Sequence, residues 1–221
     1  MWNGNRRLVL ASSSPRRRTL IAAFAPSVEA ISPTGEEGPP RAGEPAEEFV
    51  QRLSLAKAEQ VAKTARGSIV LGADTAVVLD DQIIGKPGSA WEATAILGRL
   101  RGRTHRVVTG VTALDVESGR RLTSATTSKV AMRRYSDAEV SAYVGSGEPF
   151  DKAGAYAVQD ALFHPAEGVA GCYLNVVGLP LCQVASLLRR LGAAVQTRPG
   201  WQPPVQCVDC PLRGKSEVSP P

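Results

Sequence analysis

Three short segments, far apart in the chain, combine small residues with charges in the manner a polyanion requires. They are Ser12-Ser13-Ser14-Pro15-Arg16-Arg17, then Gly72-Ala73-Asp74-Thr75 with Gly85-Lys86-Pro87 beyond it, then Asp151-Lys152-Ala153-Gly154-Ala155-Tyr156-Ala157-Val158-Gln159. Glycine and alanine let backbone come close to a ligand, while hydroxyls, arginine and lysine supply donors for phosphate oxygens. Together the segments read as a phosphate site. Asp74 is the strongest single candidate, because it falls between two apolar runs, Ser68-Ile69-Val70-Leu71 and Ala76-Val77-Val78-Leu79. A carboxylate is costly to bury there unless a cation or a positive side chain meets it, the alternative being backbone N–H groups at a bulge. Gln159 adds an amide able to read a base edge. Asp151-Lys152 sets opposite charges beside approachable backbone, or else forms a surface ion pair worth roughly 0–1 kcal/mol. Gly85-Lys86 is not the phosphate loop of nucleotide-binding proteins, which needs Gly and Ser or Thr where this chain has Asp80 and Pro87.

The elements that must position these groups follow from periodicity. Residues 7–11 read as a buried strand, after which the serines cap a helix that starts at Pro15 and runs to about residue 25. Such a junction aims free N–H groups at one spot, although an ordinary capped helix with a solvated Arg16-Arg17-Arg18 face fits the same residues. Residues 28–32 read as a second strand and 33–45 as a loop carrying Glu36 and Glu37. Residues 46–65 form a helix on Phe49, Leu53, Ala56 and Gln60 with Val61, and its Lys57 is expected in solvent unless another group claims it. Strands at 68–71 and 76–79 flank the Asp74 motif. A helix over 89–100 counts Trp91, Ala95 and Leu97 among its apolar positions. Residues 104–135 read as an antiparallel hairpin around Asp115-Val116-Glu117-Ser118-Gly119, which makes the sheet mixed. His105 and His164 lack metal-ligand spacing, so a zinc site or a Ser–His nucleophile built on them is not expected, and His105 reads as a polar strand residue. A helix capped by Ser136, a break over 145–149, and a helix over 179–191 complete the pattern.

Composition bounds the function. The 221 residues are 43% hydrophobic, enough for one domain over 1–197, followed by a Pro-rich tail over 198–221 with no packed structure expected. Within that tail Cys207-Val208-Asp209-Cys210 is half of a zinc-site pattern, and an incidental pair is the first reading, ahead of metal or redox function. The four cysteines do not suggest a disulfide framework, and a reducing, cytosolic location fits. No apolar run approaches the ~20 residues that span a bilayer, and Met1-Trp2-Asn3-Gly4-Asn5 opens no leader segment. The net charge of +5 suits an anionic partner. Nucleic acid ranks last among such partners, because the aromatic content is 5% and the basic residues are not interleaved with aromatics.

In order along the chain, Leu10-Ala11-Ser12-Ser13-Ser14-Pro15-Arg16-Arg17, Leu55-Ala56-Lys57-Ala58, Gly72-Ala73-Asp74-Thr75, Gly85-Lys86-Pro87, Glu148 to Tyr156 and Asn175-Val176-Val177-Gly178-Leu179-Pro180 resemble the Maf family, the septum-formation proteins that are nucleoside triphosphate pyrophosphatases. The resemblance spans roughly residues 8–191. It implies an α/β fold similar to that of inosine triphosphate pyrophosphatases, an elongated mixed sheet with surrounding helices in two lobes around a cleft, and commonly a homodimer. It implies hydrolysis between the α and β phosphates with a divalent metal, magnesium or manganese. By the same resemblance Asp74 is the proton acceptor, Ser12, Ser14, Arg17, Lys57 and Lys86 surround the triphosphate, Asp151 and Lys152 support the site, and Glu37 helps Asp74 hold the metal. Arg16, Thr75 and Gln159 match the branch that prefers thymidine and uridine triphosphates, where the methylguanosine branch tends to Trp, Gln and Glu. Two other classes stand beside this one: a nucleotide-binding regulator of cell division that does not hydrolyse, and a nucleic-acid-binding protein.

Overall fold

The computed structural model describes residues 6–25, 28–35, 37–207 and 210–212. The expectations for Met1–Asn5, Glu36 and residues 213–221 lie outside the described residues. Seven strands form one mixed sheet in the order β2 (Glu29–Ile31), β1 (Arg7–Ala11), β3 (Ser68–Leu79), β5 (Thr104–Asp115), β6 (Arg121–Met132) and β7 (Ala166–Ala170), with β4 (Gln82–Ile84) beside the end of β3. β1 is parallel to β2 and to β3, and the other pairs are antiparallel. The helices are α1 (Pro15–Ile21), α2 (Ala46–Ala62), α3 (Ala90–Leu100), α4 (Asp137–Gly145), α5 (Tyr173–Val177) and α6 (Leu181–Arg190). The α/β class with a mixed sheet is therefore as expected.

The expected interruption of β3 at Asp74 is absent. β3 runs unbroken because β5 pairs with it from Ile69 to Val78, so the backbone of the acidic motif stays in a ladder. What is broken is the opposite edge. β1 pairs with Ser68 to Gly72 and β4 with Val77 to Leu79, and among the described residues no strand covers Ala73–Ala76 between them. Alternation along β3 then sends Val70, Gly72, Asp74, Ala76 and Val78 toward α2, and Ala73, Thr75 and Val77 to the other face.

α2 lies on the sheet with its main chain against the main chain of the strands. A Cβ at Gly72 would sit 2.0 Å from the Ser54 carbonyl oxygen, and one at Gly110 would sit 2.4 Å from that of Val50. The buried face of α2 is Phe49, Val50, Leu53, Ser54, Lys57, Ala58 and Val61, so Lys57 points into the protein and not, as expected of a helix lysine, into water. On α3 the buried residues are Ala93, Leu97 and Leu100, and Trp91 is 78% exposed. Two residues before Ala93, Trp91 lies about 200° around the helix from it, which turns it away from the core despite its apolarity.

Two cores flank the open edge of β3. One packs Leu10, Ile21, Phe24, Leu71, Leu179 and Leu187 between the sheet and α1, α5 and α6, and the other joins α3 and α4 to Met132, Tyr135 and Phe163. The C-terminal segment joins the first. The Arg198 amide donates to the Ala23 carbonyl at 2.8 Å, Cys207 is buried, and Trp201, Cys210 and Leu212 pack against the same cluster. The expectation of no packed structure past residue 197 fails for 198–207 and 210–212, because one Trp, two Cys and one Leu supply the apolar area that the Pro-rich average conceals.

Candidate active site

A cleft of about 570 Å³ opens where β3 lacks its neighbour. Every residue assigned to the phosphate site from the sequence lines it: Ser12, Ser14, Arg16 and Arg17 after β1, Glu37 and Lys57, Asp74 and Thr75, Lys86, and Asp151, Lys152 and Gln159 on the opposite wall. The second and third segments are joined by main chain, the Gly154 amide donating to the Gly85 carbonyl at 3.1 Å. Gly154 has φ of +74°, and a Cβ there would meet Val77 Cγ2 at 2.8 Å, so the approach requires glycine.

Lys57 is the centre of the charged floor. Its Nζ lies 2.6 Å from Asp74 Oδ1 and 2.6 Å from Glu37 Oε1, so the carboxylate between the two apolar runs is met by a positive side chain and not by a bulge. Burial pushes the Glu37 carboxyl up, but the hydrogen bond and charge of Lys57, then the charges of Lys86 and Arg17, hold it below its ordinary value. Among the described residues no group of three or more His, Cys, Asp or Glu side chains forms a ready-made metal site. Two carboxylates aimed at one cation do fit magnesium or manganese, which take one or two protein carboxylates and fill the remaining positions with substrate phosphates and water.

On the other face of β3 a directed chain of hydrogen bonds fixes Arg17. Arg17 donates from Nε to the Gly178 carbonyl at 2.9 Å and from Nη2 to Thr75 Oγ1 at 2.9 Å. Thr75 Oγ1 is 2.9 Å from Thr109 Oγ1, and Thr109 donates to the Asn175 carbonyl at 2.9 Å. A hydroxyl has one proton, so Thr109 has none left for Thr75, and Thr75 must donate to Thr109 while accepting from Arg17. Thr75 therefore has no proton to offer a ligand and acts by holding Arg17. Burial lowers the Arg17 guanidinium, opposed by the charges of Asp74 and Glu37.

The hydroxyls of the first segment also have defined roles. Ser14 caps α1 by accepting from the Arg17 amide at 3.4 Å, and Ser12 accepts from the Ser14 amide at 3.1 Å. Each keeps its own proton for an acceptor in the cleft. On the far wall Arg16 Nη1 meets Asp151 Oδ2 at 3.2 Å. Lys152 gives its three protons to the Glu148 carbonyl, to Glu148 Oε2 at 2.9 Å and to Asp151 Oδ1 at 2.6 Å. Buried and fully engaged, Lys152 holds the loop that aims Asp151 at Arg16. Lys86 and Gln159 are exposed at the cleft.

Thr109, Asn175 and Gly178 belong to this network; Thr109 was not singled out from the sequence, and Asn175 and Gly178 stood there only within a run that carries the resemblance, with no role assigned. Nor was the contact of His105 Nε2 with the Tyr156 hydroxyl at 2.7 Å, which lies buried behind the cleft. Asn175 anchors the network by donating from Nδ2 to the Val107 carbonyl and to Ser128 Oγ, both at 2.9 Å. The available signal was the run from Asn175 to Pro180, whose Gly178 has φ of +121°.

The model of the family described as Maf-like protein matches residues 7–191. A protein named dTTP/UTP pyrophosphatase from Geotalea uraniireducens is 42% identical over 193 residues, 87% of this chain and 99% of its own. A protein of the same name from Thermomicrobium roseum is 45% identical over 206 residues, 93% of each chain. A third, from Dehalococcoides mccartyi, is 38% identical over 218 residues, covering 96% of this chain and 94% of its own, a match that must extend past residue 197. Among solved structures, the Ham1 protein of Staphylococcus aureus aligns with a TM-score of 0.43 at 15% identity over 58% of this chain and 73% of that one, too distant to carry an argument.

Proposed function

The chain belongs to the Maf family, and on that premise we propose that it hydrolyses nucleoside triphosphates, dTTP and UTP in preference, to the nucleoside monophosphate and pyrophosphate. The observation that carries the proposal is the Lys57-bridged pair of Asp74 and Glu37 at the open edge of β3, beside Arg17 and Lys86.

Water is a poor nucleophile toward an anionic phosphate, so a base must take its proton while cations neutralise the departing pyrophosphate. Asp74 is that base, held in position by the hydrogen bond from the Lys57 ammonium. Arg17, fixed by Thr75 and Gly178, and Lys86 take phosphate oxygens, with the protons of Ser12 and Ser14 as further donors. Glu37 and Asp74 would hold magnesium or manganese, which when bound adds charge neutralisation at the phosphates. Gln159 faces the base, its amide both donating and accepting as the O4 and N3–H edge of thymine or uracil requires. Arg16, oriented by Asp151, shares that end of the cleft. The proposal extends to a homodimer in the cytosol, acting on free nucleotides and not on nucleic acid.

The test is pyrophosphate release from thymidine, uridine, cytidine and guanosine triphosphates with magnesium or manganese. Hydrolysis favouring the thymidine and uridine substrates supports the reading. Equal kcat/KM for guanosine and thymidine triphosphate removes the pyrimidine preference, and absence of pyrophosphate from all four leaves a nucleotide-binding regulator in its place.

A further inference from the structure

Cys172, Cys207 and Cys210 pack on the first core and Cys182 touches Cys210, in a region that the catalytic proposal does not use. Cys172 directly precedes α5, Cys182 lies in the first turn of α6, and Cys207 and Cys210 arrive from the segment folded onto the first core. Three of them are half-buried and Cys207 is buried. The Cys172 sulfur lies beside the backbone at Leu174 and Asn175, the Cys207 sulfur beside that at Tyr173 and Leu174, and the Cys182 sulfur beside Leu212. Within the Cys-x-x-Cys pair the Cys210 amide donates to the Cys207 carbonyl at 3.3 Å.

The Sγ atoms of Cys182 and Cys210 are 3.6 Å apart. A disulfide would bring them to about 2.05 Å, whereas a tetrahedron of sulfurs around zinc, with bonds of about 2.3 Å, has an edge of roughly 3.8 Å. Among the described residues no three such side chains already stand as a ligating group. A single staggered step about χ1 moves a cysteine sulfur by about 3 Å, so closure can be a matter of rotamers. Sequence spacing alone offered half a pattern, and the fold supplies the other half from Cys172 and Cys182.

We propose that Cys172, Cys182, Cys207 and Cys210 form a tetrathiolate site for a soft divalent cation, zinc, that clasps the C-terminal segment to α5 and α6. Each thiol releases its proton to solvent as its zinc–sulfur bond forms, and no oxidation is involved. Sulfur ligands and a closed set of four separate this site from the carboxylate pair in the cleft, whose oxygen ligands suit magnesium or manganese.

The full-length protein, purified without chelator or affinity tag after growth with zinc, should contain about one zinc per chain by elemental analysis. Cobalt substitution should give the intense visible bands of a tetrahedral thiolate centre. Zinc should persist in Asp74→Asn and vanish from the Cys207→Ser/Cys210→Ser double variant. Zinc below about a tenth of an equivalent in the wild type, an intact mass two hydrogens light from a Cys182–Cys210 disulfide, or zinc that follows Asp74 instead of the cysteines overturns the proposal. Should the double variant fail to fold, the cobalt spectrum of the wild type decides alone.

Discussion

Thr75→Val separates two roles that the sequence left together at one position. Valine keeps the branched shape in β3 and deletes the hydroxyl that accepts from Arg17 Nη2 at 2.9 Å. The Gly178 carbonyl still accepts from Arg17 Nε, and Thr109 keeps its own acceptor in the Asn175 carbonyl. A hydrogen bond to a charged group is worth about 1.5–3 kcal/mol, so loss of this one should lower kcat/KM roughly 10- to 150-fold. Because Arg17 acts on phosphate, which every nucleotide carries alike, the thymidine and guanosine substrates should fall by the same factor and their ratio should stay unchanged. Thr75→Ser, which restores the hydroxyl, should recover most of the activity. Pyrophosphate release coupled to inorganic phosphate detection measures all of these rates. A ratio that shifts about tenfold while thymidine triphosphate turnover stays near normal would refute the assignment and make Thr75 a reader of the base.

Asp74→Asn keeps size and removes basicity, so turnover should fall by roughly 10²–10⁴ while nucleotide binding, followed by calorimetry, largely survives; near-normal turnover would remove Asp74 from the role. A chain ending at Thr197 exposes the surface that Trp201, Cys207 and Leu212 cover, and at roughly 3 kcal/mol for that area the melting temperature should drop by about 6–12 °C in calorimetry; an unchanged midpoint contradicts the packing described. His105 is 3% exposed and burial pushes its pKa down to about 4. Between there and its ordinary value of about 6.5 the unfolded chain binds a proton that the folded chain does not, so the contribution is intact above about 6.5 and is lost as pH falls toward 4, at most by about 3 kcal/mol. Denaturant titrations across that window should show a shallower fall in His105→Gln than in the wild type, and equal slopes would exclude His105 as a source.

The convergence of the three segments on one cleft was legible because each carries its own composition of small and charged residues, and local composition survives folding. The position of Lys57 was not. Its helix has the expected period, but which way a helix faces depends on Gly72 and Gly110 in strands it meets only after folding. Asp74 was read as a strand break because an acid and a glycine are poor strand residues, whereas the break lies in the neighbours, β1 and β4, whose lengths are set elsewhere. Thr75 was matched by resemblance to a base-selective branch, and nothing in its flanks reveals that Thr109 and Asn175 consume its proton. Cys207 and Cys210 were read as an incidental pair because Cys172 and Cys182 lie far from them in sequence, and long-range contact leaves no local period.

The main-chain contact of α2 with Gly72 and Gly110 acts as a mechanical stop. Packed side chains form a cushion that yields when one is trimmed or enlarged, but polypeptide backbones touching directly have no rotamers with which to yield. The reach from Lys57 to Asp74 is consequently gauged by the covalent dimensions of the chain and not by the filling around it. Hollowing the neighbouring clusters at Phe49 or Val61 should loosen the molecule without detuning the spacing of ammonium and carboxylate. Under this helix, durability and chemistry can drift independently, so long as two positions in the sheet stay bare.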